Sequence, residues 1–205
     1  MSNDLPNFLD FTDLEAEDAK QVLRAKVRKA RNERSETEKT MYAEQWVETV
    51  LEYVKDYKQV AAFVSVANEP PTHELCKAIA DSGKTLLLPK LGPGLTRAWG
   101  YFQGLDDLHQ LAPGRPPEPS GPAFDNDVLQ NVEAMIVPAL LVSKYGERLG
   151  QGGGWYDRVL KQVRAGTPIG ALIFPEEFVD FHLPQDEYDV PVCDAILPQE
   201  IIPLR

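Results

Sequence analysis

Residues 59–89, QVAAFVSVANEPPTHELCKAIADSGKTLLLP, decide the fold class of this chain. They begin with a valine-rich apolar run over residues 59–66 and end with an apolar run over residues 85–89, and both runs are typical of strands buried in a parallel sheet. Between them, THELCKAIADSGK predicts a helix that ends at Gly83, because glycine readily adopts the left-handed conformation found at helix ends. The order strand, helix, strand is a βαβ unit, so the sequence predicts an α/β domain.

The same order of elements recurs towards the end of the chain. Residues 133–142 predict a strand, residues 155–163 a helix, residues 168–174 a further strand, and CDAILP, residues 193–198, the closing strand. We therefore expect one three-layer α/β/α domain over residues 1–205, with a mainly parallel sheet between helices. Residues 1–14 would form a loose extension, and the Gly- and Pro-rich residues 91–127 an insertion or covering loop.

Two helices are expected before the first strand. The pairs Thr12 with Glu15 and Ser35 with Glu38 have the spacing of a capping box, in which a hydroxyl and a carboxylate bind free amides at a helix start. Apolar residues recur at helical spacing in the second helix and predict the face that packs on the domain. These residues are Trp46, Val47, Val50, Leu51 and Val54.

Composition narrows the possible partners. The chain has 21 Lys and Arg but 32 Asp and Glu, which gives a net charge of −11. This negative charge argues against nucleic acid or an anionic membrane surface as the partner. No apolar run approaches the roughly 20 residues of a membrane helix. The two cysteines, Cys76 and Cys193, have no CxxC spacing, so a reducing cytoplasm is the expected location. Residues 20–34 are nevertheless strongly basic, which leaves room for a local anion site.

The glycine-rich stretch RLGQGGGWYDR, residues 148–158, lies between a predicted strand and a predicted helix. Glycine lets the backbone approach a ligand closely, and amides at the helix start near Gly154 would attract an anion. A carboxylate at Asp157 beside a phosphate calls for a divalent cation such as Mg²⁺. Arg148 and Arg158 could neutralise phosphate oxygens. The alternative is a turn whose aromatic and apolar residues only pack the following helix.

That stretch does not match the common nucleotide-binding motifs. GxxxxGK[ST] of the usual ATPase phosphate loop is absent, and GxGxxG fits only loosely and too late in the chain for a dinucleotide fold. The three histidines, His73, His109 and His182, share no metal-ligand spacing, and no Ser/His/Asp or Cys/His arrangement stands out. We assign the histidines to structure or surface.

Two further features qualify as candidate binding groups. Lys20, Arg24, Arg28 and Arg31 recur at i, i+4, i+8 and i+11, so they share one face of the first helix, which is either a phosphate-binding face or a solvated one. Glu69 follows the first buried strand in a proline-stiffened loop. Its carboxylate could accept hydrogen bonds from amino and ring N–H groups of a ligand, or could simply be solvated.

Four segments in order resemble one family: K-xxx-R on the basic helix, FVSVANEPPT, VPALLVSKYGERLGQGGGWYDR and YDVPVCDAIL. From about Lys20 to its end the chain is similar to the 5-formyltetrahydrofolate cyclo-ligases. The resemblance implies a fold like that of the sugar-phosphate isomerase and coenzyme A transferase group. It also implies conversion of 5-formyltetrahydrofolate and ATP, with Mg²⁺, into 5,10-methenyltetrahydrofolate, ADP and phosphate, through a phosphorylated formyl group.

The resemblance also implies roles for individual residues. The implied catalytic cations are Lys20, Arg148 and Arg158. The implied ATP-binding residues are Lys20, Arg24, Arg148, Leu149, Gly150, Gln151, Gly152, Gly153, Gly154, Trp155 and Tyr156. The implied folate-binding residues are Val64, Glu69, Gln151, Gly152, Gly153, Gly154 and Trp155. Asp157 and Asp189 are the implied metal ligands, with Asp194 left open as an alternative to Asp189.

Several positions depart from the usual family pattern, and two of them bear on the assigned function. Ala139 stands where the family usually has glycine, and Ser143 where it usually has aspartate. These departures suggest one alternative, a folate- or nucleotide-binding regulator without turnover. A second alternative is a sugar-phosphate isomerase or sensor on the same fold. A monomer and a small homo-oligomer are both compatible with the sequence.

Overall fold

The computed structural model describes residues 14–204. The helices are α1 (Ala16–Glu33), α2 (Glu36–Tyr53), α3 (His73–Asp81) and α4 (Trp155–Leu160). The strands are β1 (Gln59–Ala61), β2 (Thr85–Leu91), β3 (Arg97–Tyr101), β4 (Leu108–His109), β5 (Glu118–Pro119), β6 (Ala134–Pro138), β7 (Leu141–Ser143), β8 (Arg148–Leu149), β9 (Ile169–Leu172), β10 (Phe178–Val179), β11 (Asp194–Ile196) and β12 (Ile201–Pro203). Short 3₁₀ helices cover Pro93–Leu95, Leu105–Asp107, Asn126–Asn131 and Pro175–Glu177.

A seven-stranded sheet in the order β12-β11-β9-β6-β1-β2-β3 forms the centre. Its five inner strands run parallel, and β12 and β3 pair antiparallel at the two edges. On β6, Ile136 packs with the core that includes α2 and α3, whereas Met135 and Val137 pack with the core that includes α4. Burial of both faces explains why the inner strands are continuously apolar. The predicted three-layer α/β fold is confirmed.

Helix α1 packs outside these layers, on a second sheet of order β10-β7-β8. Its apolar side, with Leu23 and Val27, is buried against a cluster that includes Leu140 and Leu149. The Ser35–Glu38 capping box is present at the start of α2. Thr12 lies outside the described residues, and the N-cap of α1 is Glu15, whose side chain makes no capping hydrogen bond. Among the described helices, none is long and apolar enough to cross a membrane.

The predicted strand over residues 59–66 is too long. β1 ends at Ala61, although the Ala62 amide still donates to the Leu87 carbonyl at 3.0 Å. Beyond it, the Ser65 amide donates to the Thr72 hydroxyl at 2.8 Å, so the chain closes a loop onto the start of α3. In that loop, side-chain hydrogen bonds replace the backbone hydrogen bonds between strands, while the apolar residues stay buried.

The predicted single strand over residues 133–142 is wrong. β6 ends at Pro138, and β7 belongs to the second sheet. The Ala139 carbonyl accepts a hydrogen bond from Arg31 at 2.6 Å, and the Leu140 amide donates to the Leu149 carbonyl at 2.7 Å. These bonds redirect the chain, and both pieces read as apolar because both are buried.

Two predictions nearer the chain end also need correction. The helix predicted over residues 155–163 spans only Trp155–Leu160, so few peptide dipoles add along its axis. The segment 193–198 contains β11, which is followed by the antiparallel edge strand β12 and therefore does not close the sheet. The last segment is short and contains prolines, so its sequence did not predict this edge strand.

Candidate active site

Two cavities lie side by side at the carboxyl ends of the parallel strands, where open α/β sheets bind ligands. The first, which we call the apolar cavity, has a volume of about 530 Å³ and is lined by residues such as Val64, Pro138 and Trp155. The second, the polar cavity, measures about 320 Å³ and is lined largely by charged side chains. Both cavities share Arg148, Gly150 and Asp157 as lining. They therefore meet at these residues.

The glycine loop, residues 150–154, forms the wall between the cavities. Gln151 and Gly153 line the apolar cavity, whereas Gly152 and Gly154 line the polar one. Gly152 has φ +101° and Gly154 φ +58°, conformations that glycine adopts without strain. A Cβ on Gly152 would lie 3.3 Å from Cζ of Arg24. The loop thus needs glycine for its backbone shape and for the close approach of α1.

Basic side chains of α1 hold this loop. Arg24 Nε donates to the Gly150 carbonyl at 3.1 Å, and Arg28 Nη2 donates to the Gln151 carbonyl at 2.9 Å. Lys20 and Arg24 are buried. The basic face of α1 is therefore not a solvated face along its whole length: Lys20 and Arg24 line the polar cavity, whereas Arg28 is exposed.

Lys20 is held by two carboxylates from the loop after β10. Its Nζ donates to Asp186 Oδ2 at 2.7 Å and to Asp189 Oδ2 at 2.5 Å. Burial opposes the charged ammonium, but the hydrogen bonds to both aspartates outweigh burial and raise the pKa of Lys20. Sequence reasoning missed Asp186, although its place three residues before Asp189 was an available signal. All three side chains line the polar cavity.

The structure separates the two aspartates that the sequence left open. Asp189 lines the polar cavity, whereas Asp194 begins β11 at the amino end of the sheet and accepts a hydrogen bond from Tyr53 at 3.0 Å. Asp194 lines neither cavity. Asp189 is therefore the aspartate placed to meet a ligand.

Arg148 and Asp157 form the junction of the two cavities. Arg148 Nη2 donates to Asp157 Oδ1 at 2.6 Å, and Arg148 Nη1 donates to the Pro138 carbonyl at 3.2 Å. The Arg148 side chain is 2% exposed, and its buried Nε has no partner among the described residues. A buried N–H without an acceptor is unfavourable, and a ligand oxygen would satisfy it.

The remaining loop residues divide between the cavities. Leu149 and the exposed Arg158 line the polar cavity. Trp155 and Tyr156, whose ring centroids are 4.8 Å apart, line the apolar cavity and not the polar one. The resemblance assigns Trp155 to both ATP and folate and Tyr156 to ATP alone, and the structure places both rings on the apolar side. The resemblance assigns Gly152 and Gly154 to both ATP and folate, and both glycines line the polar cavity.

Glu69 lies in the apolar cavity together with Val64. Its Oε2 accepts from the Val66 amide at 3.0 Å, and its Oε1 accepts from Gln151 Nε2 at 3.1 Å. Burial, the largest influence, raises the pKa of Glu69 despite these hydrogen bonds. The carboxylate is thus fixed in orientation and poorly solvated, which suits a group that must accept hydrogen bonds from a ligand.

The carboxylates of the polar cavity do not by themselves form a metal site. Among residues 14–204, no group of three or more His, Cys, Asp or Glu side chains is arranged to hold a metal ion. Asp157 and Asp189 both line this cavity, and each is paired with a cation. In phosphate sites Mg²⁺ commonly takes one or two carboxylates plus phosphate oxygens. The donor set therefore fits a metal that arrives bound to phosphate.

The two residues that depart from the family pattern have structural roles. Ser143 Oγ donates to Glu147 Oε2 at 2.8 Å and accepts from the Tyr145 amide at 3.2 Å, so it closes the turn after β7. Ala139 supplies the carbonyl that Arg31 binds. Neither residue lines the apolar or the polar cavity.

Sequence reasoning missed a buried ion pair and part of the apolar cavity. Arg31 donates to both carboxylate oxygens of Glu177 at 2.6 and 2.7 Å, and both side chains are 3% exposed. Lys90, Arg115 and Glu118 also line the apolar cavity. The lining by residues 115–118 comes from the Gly- and Pro-rich segment, whose composition indicated a loop but not its position.

Comparison with known proteins agrees with the geometry. The model of the 5-formyltetrahydrofolate cyclo-ligase family matches residues 16–198. The chain is 31% identical over 155 residues to the 5-formyltetrahydrofolate cyclo-ligase of Mycolicibacterium smegmatis, with 72% of this chain and 78% of the relative covered. It is 30% identical over 146 residues to that of Escherichia coli, with 69% and 79% covered.

Solved structures give the same result. The NMR structure of Aquifex aeolicus 5,10-methenyltetrahydrofolate synthetase matches with a TM-score of 0.76 and 26% identity, over 91% of this chain and 93% of that one. A Mycoplasma pneumoniae 5,10-methenyltetrahydrofolate synthetase matches with a TM-score of 0.66 at 18% identity, over 86% and 97%, and supports the fold alone. The chain belongs to the 5-formyltetrahydrofolate cyclo-ligase family and is an enzyme of that class.

Proposed function

We propose that this cyclo-ligase converts 5-formyltetrahydrofolate and ATP into 5,10-methenyltetrahydrofolate, ADP and phosphate, with Mg²⁺. The observation that carries the proposal is the shared wall of the two cavities at Arg148, Gly150 and Asp157. A ligase of this kind must bring a formyl oxygen into contact with a phosphate, and positioning two reactants side by side supplies much of its catalysis. Two adjoining cavities of opposite character suit that task.

The folate would occupy the apolar cavity. Its rings match the apolar lining, to which Val64 and Trp155 contribute. The ionised carboxylate of Glu69 would accept hydrogen bonds from the amino group and a ring N–H of the pterin. Gln151, which now donates to Glu69, would be displaced or would turn towards the ligand.

The triphosphate would occupy the polar cavity. Lys20, Arg24 and Arg158 line it and would contact phosphate oxygens. Arginine suits this role because its planar guanidinium binds two phosphate oxygens at once. Asp186 and Asp189 hold the ammonium of Lys20 in place, so this cation is oriented before ATP arrives.

The reaction itself requires no protein nucleophile. The formyl oxygen attacks the γ-phosphorus, the bond to the ADP oxygen breaks, and the formyl carbon becomes an iminium phosphate. N10 then bonds to that carbon and loses its proton, the carbon–oxygen bond breaks, and phosphate leaves with the former formyl oxygen. Arg148 at the junction would stabilise the charge on the transferred phosphoryl group, which is the main demand of phosphoryl transfer.

Asp157 and Asp189 are the residues that would hold Mg²⁺ with the triphosphate. When bound there, the metal would neutralise charge on the β- and γ-phosphate oxygens. The free oxygen of Asp157 is available for this, since its Oδ1 is the atom bound by Arg148. Arg148 fixes the orientation of the carboxylate in the meantime.

A turnover assay tests this function. Purified protein given 5-formyltetrahydrofolate and Mg-ATP should form the methenyl product, seen by its near-ultraviolet absorbance, and ADP in equal amounts. Omitting either substrate should stop both. Binding of both ligands without ADP release would favour a non-catalytic regulator instead, and a response to phosphosugars but not to folate would favour the isomerase alternative.

A further inference from the structure

Arg115 is an exposed arginine in the connection between β4 and β5, and it lines the apolar cavity. The other cations of that lining are engaged: Lys90 donates to Glu118 at 3.3 Å, and Arg148 is paired with Asp157. Within residues 14–204, the Arg115 guanidinium has no hydrogen-bond or ion-pair partner; the bonds of this residue are made by its backbone, whose amide donates to the Ala112 carbonyl and whose carbonyl accepts from Gln110. An otherwise apolar cavity thus presents one uncommitted positive charge.

The position of Arg115 follows from the sheet order. The cavity crosses the carboxyl ends of β6, β1 and β2, which are neighbours in that order. Pro138 ends β6 beside the junction, Glu69 follows β1, and Leu91 ends β2. Arg115 precedes β5, which packs over β3 so closely that a Cβ on Gly100 would lie 3.2 Å from Pro119. Arg115 therefore lies on the side of the cavity away from the phosphates.

The chemistry of the substrate supplies a partner for this charge. 5-Formyltetrahydrofolate ends in a glutamate whose carboxylates are separated from the reacting nitrogen atoms by an apolar aminobenzoyl ring. We infer that Arg115 binds a carboxylate of this glutamate tail and thereby favours binding of glutamylated over tail-less folates. The inference rests on the proposed function, because that function places the folate in this cavity.

The expected effect is modest because Arg115 is exposed. Exposed ion pairs contribute little and are screened by salt. Replacing Arg115 should therefore raise KM for the glutamylated substrate by roughly two- to fivefold, with kcat unchanged. The effect should shrink as ionic strength rises.

The experiment compares two substrates and three variants. KM and kcat are measured for 5-formyltetrahydrofolate and for the primary amide of 5-formyltetrahydropteroate, which lacks the glutamate and ends in an uncharged group. Arg115→Ala should raise KM for the first substrate only, and Arg115→Lys should retain most of the wild-type preference because it keeps the charge. Arg164→Ala removes an exposed arginine that lines neither cavity and should change neither KM.

A binding measurement separates this inference from the proposed function. Tryptophan fluorescence should report the binding of p-aminobenzoylglutamate and of the uncharged p-aminobenzamide, since Trp155 lines the cavity. Tighter binding of the glutamylated compound, lost in Arg115→Ala, would support the inference even if the wild type showed no turnover. The inference would be overturned if the ratio of the two KM values were the same in Arg115→Ala as in the wild type, whether or not both values had risen.

Discussion

Arg148 and Asp157 are joined by a 2.6 Å hydrogen-bonded ion pair, and both side chains line the apolar and the polar cavity. A cation and an anion at one boundary can serve both halves of a reaction. In the proposed reaction, the cation would stabilise the transferred phosphoryl group, and the anion would hold a metal ion that accompanies the phosphates.

Asp157→Asn tests this pair. The substitution removes the negative charge but keeps an oxygen that can accept from Arg148, so we expect turnover to fall by about 10²-fold or more while the fold persists. Asp157→Ala should additionally lower the free energy of unfolding by about 1–3 kcal/mol, because it leaves buried N–H groups of Arg148 without a partner. Urea unfolding and the ADP assay measure the two effects. Wild-type turnover in Asp157→Asn would contradict the assignment.

The glycine loop offers a matched pair of variants. Gly152→Ala should destabilise the protein by about 1–2 kcal/mol, because position 152 has φ +101° and an added methyl group would press on Arg24. Gly153→Ala has no such conflict, since no atom lies within 4 Å of its added Cβ. It should keep the melting temperature but raise KM for folate, because Gly153 lines the apolar cavity. Equal melting temperatures for both variants would refute this description of the loop.

Glu69 makes a pH prediction. Its pKa is raised above the ordinary 4.5 by burial, so around that pH the folded protein binds more protons than the unfolded chain. The contribution of Glu69 to stability is therefore fully present below pH 4.5 and is lost as pH rises through its raised pKa. Glu69→Gln should remove this decline, which urea unfolding at a series of pH values can detect. Folate affinity should change in the opposite direction in the wild type and rise with pH, because the ionised carboxylate is the better acceptor.

The Arg31–Glu177 pair should anchor α1 above the glycine loop. Both side chains are 3% exposed, so removing one partner leaves a buried charge unpaired. Arg31→Met should lower the free energy of unfolding by about 3–5 kcal/mol, and the double variant Arg31→Met, Glu177→Leu by clearly less. Denaturant unfolding of the single and double variants measures the coupling. Additive losses would show that the two residues act independently.

The sequence predicted the layers of the fold because they depend on local patterns. Apolar, valine-rich runs such as residues 59–66 and 85–89 mark strands buried on both faces, and Gly83 marks a helix end. Where the chain changes direction between two buried segments, the run of apolar residues continues and does not predict the break. The second sheet that begins at Leu141 was hidden for this reason.

The candidate site was predictable only where one segment contains it. The glycine loop, Arg148 and Asp157 are close in sequence, and the structure keeps them together at the cavity junction. The pairing of Lys20 with Asp186 spans 166 positions, and no local pattern specifies such a partner. The burial of Lys20 could not be predicted either, because the spacing of basic residues along a helix is the same whether water or a carboxylate covers that face.

The fate of the formyl oxygen shows whether folate and ATP react in direct contact, as the two cavities that meet at Arg148 and Asp157 would allow. The enzyme is given Mg-ATP and 5-formyltetrahydrofolate labelled with ¹⁸O in the formyl group, and the released phosphate is analysed by mass spectrometry. If the formyl oxygen attacks the γ-phosphorus, each phosphate formed should contain one labelled oxygen. Unlabelled phosphate, with the label released to water, would contradict it.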